Sequence, residues 1–90
     1  MSAQLIAEFI GTFILVLAIL LTGNPLFIAS GFLAAITIAG GISGGHLNPA
    51  VSFVKYMSGD LNATQFSMYW GAQVTGALLA LFVAKTLKKA

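Results

Sequence analysis

The sequence predicts an all-α membrane protein with three transmembrane helices and one re-entrant half-helix. Three observations carry that reading. First, 59% of the 90 residues are hydrophobic and only 7% charged, with a mean hydropathy of +1.00. Soluble domains carry roughly a quarter charged residues. A small globule has a high ratio of surface to volume, and this chain lacks the polar groups to coat one. Second, the apolar residues fall into three stretches, each about as long as the ~20 residues that cross a bilayer once. Third, one glycine-rich segment carrying Asn-Pro separates the second stretch from the third, and a helix half as long as a crossing follows it.

The first apolar stretch predicts a helix over about residues 5–22, interrupted only by Glu8, Gly11 and Thr12. It has no basic leader and carries Glu8, so it is not read as a cleaved signal peptide. Thr22-Gly23-Asn24-Pro25 marks a turn. A second helix is expected over about 26–42, without a charge. The third, about 64–85, runs into a basic tail over 85–90 that contains Lys85, Lys88 and Lys89. At ~1.5 Å per residue each stretch is just long enough for a bilayer core. Small residues recur at four-residue spacing, Gly31, Ala35 and Ala39 in the second helix and Ala72, Gly76, Ala80 and Ala84 in the third. Such ridges let membrane helices approach closely.

Residues 43–58 form the re-entrant loop and half-helix. Pro49 to Met57 predicts a short helix with Asn48 as N-cap, Pro49 at its first position and Gly59 as its stop. At ~1.5 Å per residue it spans roughly 14 Å, half a bilayer. Gly40-Gly41-Ile42-Ser43-Gly44-Gly45, ahead of it, reads as non-helical backbone whose carbonyls are unpaired acceptors along a path. Backbone of that kind is tolerated at membrane depth only where protein or a water-filled cavity satisfies it. The half-helix would aim its free N–H groups and its positive dipole end at the same path. Acceptors in a row followed by donors suit a small neutral solute and oppose cations and protons. The bland alternative is an interfacial loop on a helical hairpin.

Ser43-Gly44-Gly45-His46-Leu47-Asn48-Pro49-Ala50-Val51-Ser52 resembles the first signature loop of the aquaporin and glycerol-facilitator (major intrinsic protein) family. Ala7-Glu8-Phe9-Ile10-Gly11-Thr12 is similar to that family's first-helix motif, and Ala72-Gln73-Val74-Thr75-Gly76-Ala77 to its third-helix motif. The three occur in order and together cover nearly the whole chain. The resemblance implies half of an aquaporin-like fold and a passive channel for water and small polyols such as glycerol. In that reading Asn48, Pro49 and Ala50 stand at the pore centre, with Asn48 donating its amide to the permeant. The carbonyls of Gly44, Gly45, His46 and Leu47 form the acceptor ladder, and Glu8 and Gln73 support the loop from behind. A carboxyl inside a membrane helix is a functional hypothesis by default. Glu8 could accept from loop N–H groups, donate to a carbonyl when protonated, or merely snorkel at the helix end. His46 is a loop-bracing or pore-lining imidazole, not a metal ligand, because the chain offers no second histidine and no cysteine.

Family members contain two such units, inverted and fused, and this chain matches the first. The expectation is an antiparallel homodimer whose two copies of Asn48 face across a two-fold axis in the membrane plane. The family's tetramers extend this to eight chains. Lys85, Lys88 and Lys89 lie on one side of the membrane against Lys55 and the α-amino group on the other, a bias weak enough for mixed orientation. The family's filter includes an arginine three residues after the second signature Asn. Here the filter-like positions are Ile28, Ile36, Gly45 and Val51, with no fixed cation. A less polar, less discriminating filter follows.

Rival readings are a holin-like protein forming non-selective lesions, and a non-conducting or heteromeric channel subunit. A holin has no need of a glycine-rich segment capped by Asn48-Pro49. No nucleophile–base pair, phosphate loop or metal cluster points to an enzyme, and no cofactor or nucleic-acid partner is expected.

Overall fold

The computed structural model describes residues 1–89 and consists of four helices in chain order: α1 (Ser2–Leu21), α2 (Pro25–Ser43), α3 (Pro49–Met57) and α4 (Ala63–Lys89). Three of them, all but α3, are long and apolar enough to cross a membrane. Their termini follow from local chemistry. Pro25 at the first turn of α2 needs no N–H partner, and the Asn24 side chain accepts from Phe27 N–H at 3.0 Å. Pro49 and Asn48 repeat the device at α3, where Asn48 Oδ1 accepts from Ala50 N–H at 2.8 Å. Asn62 and Gln65 cap α4 reciprocally, each side chain accepting from the other's N–H. α4 continues through Lys85 and Lys88, so the basic stretch expected as a tail forms the last helical turns. Ala90, the final residue of that tail, lies outside the described residues.

One expectation requires correction. Gly40, Gly41 and Ile42 are helical, and Gly40 O accepts the Gly44 N–H at 3.2 Å, so the carbonyl at Gly40 is not a free acceptor. Glycine costs a helix only about 1 kcal/mol relative to alanine. An unpaired backbone group at membrane depth costs several. The helix therefore persists through its glycines until Gly44 takes φ +90° and caps it. The irregular segment is confined to residues 44–48.

α1 is the central helix. It packs against α2 on one side and α4 on the other, while α3 packs on α4. Small residues make these contacts. A Cβ on Gly76 would stand 2.5 Å from the backbone oxygen of Phe9, and one on Gly31 would stand 2.9 Å from Ala18 Cβ, so glycine sets both helix separations. Ala35, Ala39 and Ala80 are fully buried and Ala84 nearly so. The outer faces are different. Leu26, Leu33, Ile38, Val54, Met57 and Phe82 are all more than half exposed, as helices surrounded by lipid or a partner require.

Candidate functional site

Chain geometry brings α1, α4 and the start of α3 together around residues 43–48. Glu8, on α1, is fully buried there and accepts four hydrogen bonds. Its Oε2 takes the Ser43 hydroxyl at 2.6 Å and the His46 N–H at 3.0 Å, and its Oε1 takes the Leu47 N–H at 2.8 Å and Gln73 Nε2–H at 2.9 Å. Of the three roles open to Glu8 in the sequence, the geometry has it accepting from the loop rather than snorkelling. A buried donor left without such a partner costs about 1–3 kcal/mol.

Gln73 gives its other amide proton to Ser52 Oγ at 2.8 Å. Ser52 Oγ also lies 2.9 Å from His46 Nδ1, so one hydroxyl joins the Gln73 amide to the imidazole. Tyr69, one turn before Gln73 on α4, packs its ring 4.8 Å from the His46 ring and donates its hydroxyl to Ser43 O at 2.9 Å. His46 is thus held from two sides. Ser43, Ser52 and Tyr69 complete the cradle, and the sequence reading did not single them out. A signal existed for Tyr69, which shares one buried stripe of α4 with Gln73, Gly76, Ala80 and Ala84.

The loop's conformation separates its donors from its acceptors. Gly44, Gly45 and Leu47 have φ of +90°, +62° and +57°. Glycine adopts these values freely, whereas for Leu47 a left-handed backbone costs about 1–2 kcal/mol. That cost is offset by the bond from Leu47 N–H to Glu8 and by burial of the side chain over Gly11, where a Cβ would stand 2.5 Å from Leu47 Cδ2. The N–H groups of residues 44 to 47 bond in turn to Gly40 O, Ser43 Oγ and the two Glu8 oxygens. The carbonyls of the same four residues accept no hydrogen bond among the described residues. Asn48 is exposed, and because its Oδ1 is occupied by Ala50 N–H, its amide NH2 is the group left to donate outward.

The structure places the remaining sequence-derived positions less uniformly. Ala50 and Val51 are exposed on α3 beside Asn48, and Pro49 is half-buried. Gly45 lies against α2, its would-be Cβ 3.4 Å from Gly40 Cα and 3.8 Å from Ile36 Cα, so Gly45 and Ile36 are neighbours. Ile28 is half-buried on the same helix, eight residues and so about 12 Å further toward its start.

A buried carboxyl clamping an irregular, half-membrane segment between long apolar helices defines an integral, multi-pass membrane protein with a re-entrant loop. The chain belongs to the major intrinsic protein family, whose model matches residues 1–90. It is 45% identical to Aquaporin Z of Brucella melitensis over a 95-residue alignment, covering 89% of this chain and 42% of that one. It is 37% identical to Glycerol uptake facilitator protein-like 6 of Lactiplantibacillus plantarum, covering 94% of this chain and 44% of that one. With human Aquaporin-9 the identity is 36%, over 88% of this chain and 32% of the relative. The chain thus spans less than half the length of these curated relatives. No solved structure matches it significantly.

Proposed function

We propose that the chain forms a passive membrane channel for water and small neutral solutes such as glycerol, with a pore completed by a second, inverted copy. The observation that carries this reading is the split in the loop. The N–H groups of residues 44–47 are tied down behind, and their four carbonyls and the Asn48 amide are left free in front. Free carbonyls at membrane depth cannot face hydrocarbon, where each would cost several kcal/mol, so they must line water or meet protein. Acceptors along the path and a donor at the half-helix tip offer a permeating hydroxyl group both halves of its hydrogen bonding. Val51, Ile36, Gly45 and Ile28 supply no cation to the filter. A mouth framed by such residues admits small polyols beside water.

One unit encloses no pore by itself, because α2 and α3 present broad apolar faces that α1 and α4 leave uncovered. A second copy related by a two-fold axis in the membrane plane would set one Asn48 against the other and cover both faces. Four such pairs give an assembly of eight chains. The experiment is stopped-flow light scattering on proteoliposomes, wild type beside Asn48→Asp. Aspartate keeps the oxygen that caps Ala50 and replaces the donor NH2 with an acceptor. Fast, low-activation water flow and measurable glycerol flow are expected from the wild type, both at least tenfold lower in the variant. Equal flux from the two proteins overturns the reading, and release of a trapped dye of several hundred daltons identifies a lesion-former instead.

A further inference from the structure

The half-helix is attached along one line. Among the described residues α3 packs on α4 and on no other helix, and of its nine residues Ser52 is the one that is buried. Pro49, Ser52, Phe53 and Tyr56 fall on a single face of α3, and Phe66, Tyr69 and Gln73 on a single face of α4. The two faces meet at two rungs. The first is the bond from Gln73 to Ser52 at 2.8 Å, which belongs to the network around Glu8. The second is aromatic and lies near the far end of α3, outside that network. Phe66 stacks on Tyr56 with ring centroids 5.5 Å apart and planes 10° from parallel, and it meets Phe53 at 5.9 Å and 58°. Separations and tilts of this kind are favourable for aromatic pairs.

An element with so few buried contacts is held in place only by the ones it has. The first rung and the bond from Leu47 N–H to Glu8 fix the tip of the half-helix. They leave its direction open, because a short rod held at one end can still swing about that end. The aromatic rung closes this freedom. The Asn48 side chain is tied to Ala50 N–H, so its amide turns with the half-helix. We infer that Phe66 is a positioning residue: it fixes the angle of α3 and, through the Asn48 cap, the direction in which the Asn48 amide points. Groups that act on a small molecule work only when held to within about 0.5 Å. The pinning of α3 does not depend on whether the chain conducts, whereas its consequence for permeation rests on the proposed channel.

The test is a nitroxide on Lys55→Cys, on the exposed side of α3, in the full chain in lipid nanodiscs. The chain has no other cysteine, and the Lys55–Asp60 pair lost by the change is exposed and contributes little. Adding Phe66→Ala should raise the rotational mobility of the label about twofold or more, and Phe66→Tyr should leave it as in the wild type. In proteoliposomes Phe66→Ala should also lower the ratio of glycerol flux to water flux by about threefold or more. Loss of folded protein alone would reduce both fluxes and leave their ratio unchanged. Phe66→Leu keeps apolar bulk without a ring and takes the place of Phe66→Ala in both measurements if that variant does not fold. A label that moves as in the wild type overturns the inference, and so does a loosened half-helix with an unchanged flux ratio. If the wild type conducts neither solute, the proposed channel fails and the label alone decides whether Phe66 pins α3.

Discussion

The back and the front of the re-entrant loop are made of the same four residues, yet they obey opposite rules. Behind, the N–H groups of Gly44 to Leu47 all end on protein acceptors, Glu8 above all. In front, their carbonyls and the Asn48 amide end on nothing among the described residues. The back supplies rigidity, because fully satisfied hydrogen bonds in a low-dielectric interior are strong. On the proposed function the front supplies the chemistry, because groups the fold leaves unpaired are the ones a permeating molecule would use. The left-handed backbone at Gly44, Gly45 and Leu47 divides the two sets.

Substitutions on the two sides should therefore separate stability from flux. The largest effect is expected from Glu8→Gln, which replaces an acceptor oxygen with an NH2 group facing N–H donors. Each buried donor left without an acceptor in this way costs about 1–3 kcal/mol, and the variant strands two of the four. A thermal melt followed by Trp70 fluorescence should show a collapsed midpoint, and flux should vanish with it. Gly76→Ala comes next, because its Cβ would press on the Phe9 backbone, which cannot step aside. Overpacking of this kind costs about 1–3 kcal/mol, whereas Gly40→Ala, with nothing within 4 Å, should melt at or above the wild-type midpoint. Ser52→Ala cuts the link between Gln73 and His46 but leaves Glu8 in place. It should cost about 1–2 kcal/mol. On the front, Asn48→Asp keeps the cap and should shift stability by about 1 kcal/mol or less, while the tenfold loss of flux appears in stopped flow. A front-side variant that melted as early as Glu8→Gln would erase the distinction.

Much of this division was legible in the sequence. Composition and stretch length gave three crossings, and Asn48-Pro49 gave the start of a half-helix. A lone carboxyl at Glu8 inside an apolar helix pointed to a buried role, and the family resemblance set Glu8 and Gln73 behind the loop. The glycine run reads two ways, as helix to about residue 42 and as irregular backbone from Gly40, and the structure takes the first. Glycines at 40 and 41 read as loop because propensity treats glycine alike in water and in lipid, whereas the bilayer's penalty on unpaired backbone keeps the helix intact to Ser43. Ser43, Ser52 and Tyr69 were missed for another reason. Small hydroxyls and tyrosines are common, and only the approach of α1, α3 and α4 turns these three into partners of Glu8, Gln73 and His46.

The proposed channel has the free front of the loop covered by a second, inverted copy, and that inverted pairing is the central claim. The chain contains no cysteine, so single cysteines report cleanly. Gly23→Cys lies in the exposed α1–α2 turn and Thr64→Cys in the exposed first turn of α4, and one crossing by α2 with a re-entrant return places them on opposite sides of the membrane. The measurement is labelling of each variant in sealed vesicles by a membrane-impermeant maleimide. Inverted pairing predicts that about half the molecules of both variants react from outside. Complete labelling of one variant with full protection of the other would mean a single orientation, and would contradict it.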